Sequence, residues 1–247
     1  MVIGRDRFHF ATVGSTNDEI IQRALLGAAE GLVVTADEQT AGRGRLGRSW
    51  VSPAGKGVHC SVLLRPARAL AIAPRVTMMA ALAAAEAVES TSGLTAHVKW
   101  PNDLLLGDRK LGGVLTEVIQ ETGQPPALCV GIGLNVRHGW DDFPPEVRAT
   151  ATSMALAGAC EVTVAEVTEA LLQALNRRYQ QLQSGEDDTL EEFRRRDVTL
   201  RKNVRVTIGE EVIEGVAELI DENCMLGVRL WDRSRRLFVA GEVTVRF

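Results

Sequence analysis

The sequence predicts an α+β protein: a large region mixing strands and helices over residues 1–200, then a small all-β unit over residues 201–247. Three observations lead there. Runs such as LVVTAD and ALCVGIGLNV are apolar and β-branched and read as buried strands. Stretches such as Val162 to Gln183 carry apolar residues at helical spacing, among them Val164, Val167, Leu171, Leu175 and Leu182. From Val204 onward the pattern switches to short alternating runs separated by Gly, Asp, Asn and Ser turns. A chain of 247 residues suffices for one large domain, or for one domain plus a small appendage.

Arg7 to Val13 alternates as a first strand, and Gly14 ends it. Ser15 or Thr16 can cap the helix that follows, with Asp18 or Glu19 completing a capping box and Ile20, Ile21, Ala24 and Leu25 giving an apolar face. The alternative is that both hydroxyls face a ligand at a helix start, where free N–H groups favour polar or anionic groups. Gly31 to Asp37 reads as a strand running into Glu38 and Gln39, and Gly57 to Arg65 as another. Pro74 is expected to open an Ala-, Met- and Leu-rich helix ending near Ser92. Ala96 to Trp100 is a short strand stopped by Pro101, with Asn102 and Asp103 as turn formers.

A turn at Gly107 to Lys110 precedes a strand from Leu111 to Gln120, and a turn at Glu121 to Pro126 precedes the strand of ALCVGIGLNV. His138 to Thr150, with Pro144-Pro145, reads as an irregular surface segment. The helix after Val162 is joined through Gly185 to Asp188 to a charged helix from about Thr189 to Arg196, whose Arg194 to Arg196 run reads as a solvated face. The runs VRVTI, VIEGVAELI, MLGVRLW, RLFVAG and VTVRF then fit a small barrel-like unit, a size that leans on a neighbour for stability.

Composition narrows the function classes. An apolar fraction of 45% and a charged fraction of 24% are ordinary for a globular protein. The net charge of −4 argues against nucleic acid as the main partner. Cys60, Cys129, Cys160 and Cys224 are scattered, without a CxxC pair or a His at metal-ligand spacing, and read as buried, reduced thiols. The N-terminus has no apolar signal core, and the apolar run from Met78 to Val88 is short and broken by Glu86, so a cytoplasmic protein without membrane contact is expected. His59 and His97 lie in or beside strands without an evident nucleophile or carboxylate partner and read as structural.

Against this acidic background, TAGRGRLGRSW, Thr40 to Trp50, concentrates Gly42, Gly44 and Gly47 with Arg43, Arg45 and Arg48. The glycines allow unusual backbone conformations and close approach, while the arginines supply forked, permanently charged donors. Such a loop suits a phosphate or carboxylate, and ordering it is coupled to binding because fixing each backbone residue costs about 1 to 2 kcal/mol. Lys99, Asn102 and Asp103 crowd a strand end between apolar flanks, another favourable place for a site. Gly112 and Gly113 in one strand, and Gly131 and Gly133 in another, leave backbone that something flat or bulky can approach closely. Asn135 ends the second of those strands.

Taken in order, the early STN, then QTAGRGRLGRSW, KWPNDLLL, DRKLGGVLTEV and GIGLNV resemble the catalytic domain of biotin protein ligases, from about Arg7 to the C-terminus. The resemblance implies a mixed β-sheet flanked by helices, the class II aminoacyl-tRNA-synthetase-like core of that family, plus a C-terminal SH3-like barrel. It implies that biotin and ATP with Mg²⁺ form biotinyl-5′-AMP, whose biotin passes to one lysine of a biotin carboxyl carrier domain in a biotin-dependent carboxylase. Bringing a carboxylate to the α-phosphorus of ATP joins two anions, so cations are needed, and Arg43, Arg45, Lys99 and Lys110 are the catalytic candidates. By resemblance, Ser15, Thr16, Asn17, Gln39, Gly42, Arg43, Gly44, Arg45 and Lys110 fall where the family binds biotin, with Gly112, Gly113, Leu115, Gly131 and Gly133 shaping the pocket for its fused rings. Arg45, Arg48, Trp50, Lys99, Asn102, Asp103 and Asn135 fall on the ATP side. There Trp50 would stack on adenine, and Asn102 and Asp103 would orient Lys99 or the Mg²⁺ water shell. The first motif departs from the family only at Leu46.

Some family members carry an N-terminal winged helix. Here the first strand begins about seven residues from Met1, so a monofunctional enzyme without DNA binding is expected. Two rival readings are a lipoate ligase or octanoyltransferase, which sits poorly with GRGRLG and KWPND together, and a non-catalytic biotin-binding regulator, against which the intact lysines and arginines weigh. An exposed strand edge could pair with a carrier domain or with a second copy in a homodimer.

Overall fold

The computed structural model of the chain describes residues 2–51, 53–120, 123–239 and 241–246. Its main sheet is mixed and seven-stranded: β1 (Arg7–Val13), β2 (Val33–Gln39), β3 (Gly57–Leu64), β4 (His97–Lys99), β5 (Asp103–Leu106), β6 (Arg109–Ile119) and β7 (Ala127–Asn135). The spatial order is β1-β2-β3-β7-β6-β5-β4; β1 and β2 are parallel and every other neighbouring pair is antiparallel. Directly paired residues share a face. Ala36, His59, Gly133, Gly113, Asp103 and Lys99 are successive cross-strand partners, and so form one row across six strands. The next row on that face runs Val34, Ser61, Gly131, Leu115.

Helix α1 (Thr16–Leu25) lies on this face, burying Ile20 and Ala24 against Val34, Leu63 and Cys129. The opposite face carries α2 (Ala69–Ser92), whose alanines and methionines are buried against Val62, Val114 and Val130, with α4 (Val164–Ser184) and α5 (Thr189–Arg196) packed on α2. By length and composition α2 could cross a membrane, yet its apolar surface is the centre of this core. A short α3 (Pro145–Arg148) lies in the segment after β7. The second sheet is antiparallel, from β8 (Asn203–Ile208), β9 (Glu211–Ile220), β10 (Leu226–Arg229), β11 (Arg235–Phe238) and β12 (Glu242–Arg246), in the order β11-β10-β9-β8-β12. Its Val204, Ala217, Leu226 and Phe238 join the same continuous apolar core as the face of α2, and the buried Trp100 indole N–H donates to the Cys224 carbonyl at 2.9 Å across the junction.

Several sequence expectations need correction. Helix α2 starts five residues before Pro74, which therefore lies in its second turn; proline forfeits one backbone bond there, while Ile72 N–H still reaches Arg68 O at 3.1 Å. Ser15 takes the N-cap position of α1, but no capping box forms, because the Thr16 backbone N–H and hydroxyl both turn to the Gln39 side-chain oxygen. The box occurs instead at α4, between Thr163 and Glu166. Arg194 to Arg196 is no uniform solvated face. Arg194 donates to Ile220 O, and Arg196 is clamped between Glu89 at 2.7 Å and Glu192 at 2.6 Å, tying α5 to β9 and α2. Cys60, Cys129 and Cys224 are buried free thiols as expected, whereas Cys160 is exposed in the loop before α4. Glu121 and Thr122 of the expected turn, Ala240 and Phe247 lie outside the described residues.

Gly112 was expected in the ligand pocket. Alternation puts it on the other face from Gly113, paired with Leu104 and Leu134, and a Cβ there would sit 2.4 Å from Gly133 O and 2.6 Å from Leu134 Cδ2. Its missing side chain serves strand packing. Gly112→Ala should therefore lower stability by about 1 to 3 kcal/mol through overpacking. A urea midpoint equal to that of the parent protein would contradict this.

Candidate functional site

The two glycine positions Gly113 and Gly133 face each other across β6 and β7, with Gly131 one row above, so the sheet surface is bare where these rows meet. Above this trough is a cavity of about 300 Å³, the lower end of the range for ligand pockets. Its walls come from the N-terminus of α1, the loop after β2, the β4–β5 turn, the segment before and after α3, and the start of β12. Of the sequence-nominated residues, Ser15, Thr16, Asn17, Gln39, Arg43, Gly44, Arg45, Arg48, Trp50, Lys99, Asn102, Asp103, Lys110, Gly113, Leu115, Gly131, Gly133 and Asn135 line it. Gly42 and Gly112 do not. Gly42 is buried in the loop, its carbonyl accepting the Trp50 N–H at 2.9 Å.

The arginine loop is a small hairpin. Arg43 bridges Ser49, Gly44 N–H donates to Arg48 O at 2.6 Å, and a single 3-10 turn spans Arg45–Gly47. Within that turn Leu46 adopts φ 57° and Gly47 φ 73°. The glycine takes this left-handed conformation freely, whereas the leucine accepts strain and stays exposed. Trp50 lies across the glycine trough: a Cβ on Gly133 would be 2.6 Å from its indole ring. Its indole Nε1 is buried and has no hydrogen-bond partner among the described residues.

Five cationic side chains reach the cavity, Arg43, Arg45, Arg48, Lys99 and Lys110, against the two carboxylates Asp103 and Glu242. Four of the five are tethered. Arg43 makes a two-pronged pair with Asp18 at 2.6 and 2.8 Å, and that pairing raises its already high pKa. Arg45 donates to Asn102 Oδ1 at 2.9 Å; its burial lowers its pKa, with Asp103 opposing. Arg48 pairs with Glu242, and Lys110 with Asp103 at 2.6 Å. Asn102 is held in turn, its side-chain amide donating to Val114 O at 2.9 Å. Lys99 alone makes no hydrogen bond or ion pair among the described residues. Desolvation pushes its pKa down, Asp103 pulls it up, and Lys110 adds to the lowering.

At the α1 end the lining residues Thr16 and Asn17 belong to a hydrogen-bonded polar cluster that extends behind the cavity wall to Ser61 and Glu117. Ser61 Oγ lies 2.7 Å from Thr16 Oγ1 and 2.6 Å from Asn17 Oδ1, and Asn17 Nδ2 donates to Glu117 at 2.6 Å. All three of Ser61, Thr16 and Asn17 are buried. Asn17 occupies the bare surface of Gly131, where a Cβ would be 2.2 Å from its Oδ1. The irregular segment after β7 contributes Phe143, Val147, Thr150 and Ala151, which the sequence reading missed. It reaches the cavity because Lys110 N–H donates to Thr150 O at 2.7 Å and Thr152 N–H to Lys110 O at 2.8 Å, a two-bond graft onto β6. Glu117 was also missed, although it stands two positions from Leu115 on the same strand face, a period-two signal visible in the sequence. Glu242 carried no such signal.

A glycine trough on a mixed sheet, overhung by a cationic hairpin, gives this α+β domain a cavity whose charge suits a small anionic molecule. Residues 11–135 match the family model described as Biotin/lipoate A/B protein ligase family, and the chain belongs to that family. It is 37% identical over 178 residues to the bifunctional ligase/repressor BirA of Bacillus spizizenii, an alignment covering 72% of this chain and 55% of that protein, so the chain spans about half the length of that relative. Identity to the biotin--[acetyl-CoA-carboxylase] ligase of Mycobacterium tuberculosis is 35% over 223 residues, covering 86% of this chain and 79% of that one. Among solved structures, the biotin protein ligase from Aquifex aeolicus in complex with biotin and ATP superposes with a TM-score of 0.82 at 25% identity, covering 98% of this chain and 99% of that chain.

Behind Phe143, His138 stacks at 5.2 Å with neither ring nitrogen hydrogen-bonded among the described residues, and burial pushes its pKa down to about 4. The nearby His59 is also depressed by burial, its Nδ1 facing Ala36 O at 3.3 Å and its Nε2 unpartnered. An unfolded His protonates near pH 6.5, so from there down to about pH 4 the unfolded chain binds the extra proton and folding loses free energy as pH falls. Buried Asp197, pushed up to about 6, acts oppositely over part of that window. The test is therefore a difference: relative to His138→Phe, the parent protein should lose about 2 to 3 kcal/mol between pH 6.5 and pH 4 in urea titrations. A difference independent of pH would refute the assignment.

Proposed function

We propose that the protein is an ATP-dependent biotin protein ligase. The biotin carboxylate attacks the α-phosphorus of ATP, the bond to the bridging oxygen breaks, pyrophosphate leaves, and biotinyl-5′-AMP remains. A lysine amine of a biotin carboxyl carrier domain then attacks the acyl carbon, loses a proton and displaces AMP. The observation that carries this reading is Lys99: an unpaired, desolvated cation at the end of the row that contains the glycine trough, amid four tethered cations. Such a group can meet the charge shared by carboxylate and α-phosphate without first giving up a partner. Similarity to the M. tuberculosis ligase and to the A. aeolicus enzyme with biotin and ATP supports the choice of substrates.

In this reading the biotin rings lie in the pocket that Gly113, Gly131, Gly133 and Leu115 shape, beside the Asn17 amide that packs on Gly131, with Ser15, Thr16 and Gln39 as further polar partners at the α1 end. Arg43, Gly44, Arg45 and Lys110 face the carboxylate side. Arg48, Trp50, Asn102 and Asn135 face the nucleotide, and Trp50 must leave Gly133 to stack on adenine, so loop movement accompanies binding. The described residues contain no cluster of three or more His, Cys, Asp or Glu side chains able to cage a metal. Mg²⁺ would be brought by the ATP phosphates, and Asp103 would be the carboxylate that meets its water shell. We assign the C-terminal sheet, β8 to β12, to the SH3-like type, for which its five short antiparallel strands are the support; its core is continuous with that of the main sheet, and Glu242 lets it wall the cavity. A cytoplasmic location belongs to the same proposal, and the free thiols among the described residues support it.

Incubating the purified protein with MgATP, biotin or lipoate, and an apo carrier domain should add the mass of biotin to the carrier. Gain of lipoate alone, or no gain on a competent carrier, would sink the proposal. Lys99→Ala should slow adenylate formation by about 100-fold while biotin binding, read by calorimetry, changes little. An equal loss in both would count against a role in the transition state. Arg43→Ala should speed escape of the adenylate, and retention in a filter assay unchanged from the parent protein would contradict the clamp.

A further inference from the structure

The residue that sets the position of the clamp lies outside the clamp. The hairpin around Arg43 is stiffened by its own backbone bonds, but those bonds do not determine where it sits over the sheet. Arg45 on Asn102 and Arg48 on Glu242 hold one side of it; the α1 side is held by Arg43, whose Nη1 and Nη2 grip both oxygens of Asp18 in the first turn of α1 and whose Nη2 also lies 3.5 Å from Glu117 on β6. Glu117 is itself fixed by Asn17, which is fixed by buried Ser61. Arg43 lines the cavity and Asp18 does not, so the carboxylate pulls the guanidinium from the outer side. Two of the five guanidinium N–H donors are spent on Asp18, leaving others for an anion inside.

We propose that Asp18, backed by Glu117, is a positioning residue that latches the arginine hairpin closed over the cavity and sets how long the reaction intermediate is held. This rests on the function proposed above only for the identity of the intermediate. A plain structural role for Asp18 is also at hand, since an acidic side chain in a first helical turn favours the helix through its free N–H groups. Asp18→Asn removes the charge in either case, but the two roles predict different results: loss of the helix contribution loosens the start of α1, whereas loss of the charged two-pronged grip loosens the hairpin.

Two measurements decide it. First, hydrogen exchange of the ligand-free protein should show faster exchange across residues 42–50 in Asp18→Asn than in the parent, with α1 and β6 unchanged. Equal exchange in the hairpin, or faster exchange in α1 as well, overturns the latch whatever the substrate proves to be. Second, with biotinyl-5′-AMP formed in place, Asp18→Asn should release it about 5- to 20-fold faster, with its rate of formation at saturating biotin and MgATP within about twofold of the parent. Asp18→Glu should recover part of the retention, and raising the salt to about 0.5 M should speed release more from the parent than from Asp18→Asn, which has already lost one screened ion pair. Retention equal to the parent in Asp18→Asn refutes the latch. Failure of the parent protein to form the adenylate refutes instead the function proposed above, and hydrogen exchange then still decides the latch.

Discussion

The structure depends on a pair of absent side chains. Gly113 and Gly133 oppose each other on adjacent antiparallel strands, and with Gly131 they open a bare strip on one face of a sheet whose other face is filled by α2. A Cβ at Gly133 would run into the Trp50 indole and one at Gly131 into the Asn17 amide. The polar end and the aromatic cover of the cavity are thus placed by direct contact with backbone. Because directly opposed residues share a face, the same row carries Asp103 and Lys99 to the edge of the strip. The trough and its reactive edge are consequences of one register.

Charge distribution is the second constraint. A chain of net charge −4 gathers five cations around one cavity, and their mutual repulsion in a partly desolvated place has to be offset. Each tether comes from a different part of the fold: Asp18 on α1, Asn102 in the β4–β5 turn, Asp103 on β5 and Glu242 on β12. The hairpin is in this way strapped to α1, to the sheet and to the C-terminal strands together. Lys99 has no strap among the described residues, and desolvation, only partly offset by Asp103, drives its pKa down.

Much of this was legible in the residues themselves. The strands and helices with strong periodicity were read nearly to their ends, and the glycine and arginine motifs nominated eighteen of the described cavity residues. The failures have a common cause. Pro74 was read as a helix start because proline is favoured there, yet burial of the alanine face extended α2 backwards past it. Ser15 or Thr16 reads as a cap because hydroxyls often are; Ser15 takes the N-cap position without a capping bond, and Thr16 finds Gln39 and Ser61 instead. Gly112 was grouped with Gly113 because they are adjacent, though a strand sends neighbours to opposite faces. Arg194 to Arg196 looked solvated until a folded chain brought Glu89 and the Ile220 carbonyl beside it.

By itself the sequence determined the order of elements, the switch to short strands after Val204, and which local motifs carry the glycines and cations, because periodicity and residue type act over a few positions. Tertiary structure alone decided which of those motifs meet and what restrains them. Asp18 comes to Arg43 across 25 positions, Glu117 to Asn17 across 100, and Glu242 to Arg48 from near the far end of the chain. No local pattern encodes such pairings, since a carboxylate in a helix turn or at a strand start has the same sequence signature whether it faces water or an arginine. Strand register, helix placement and the return of the C-terminal sheet to the cavity select the arginine.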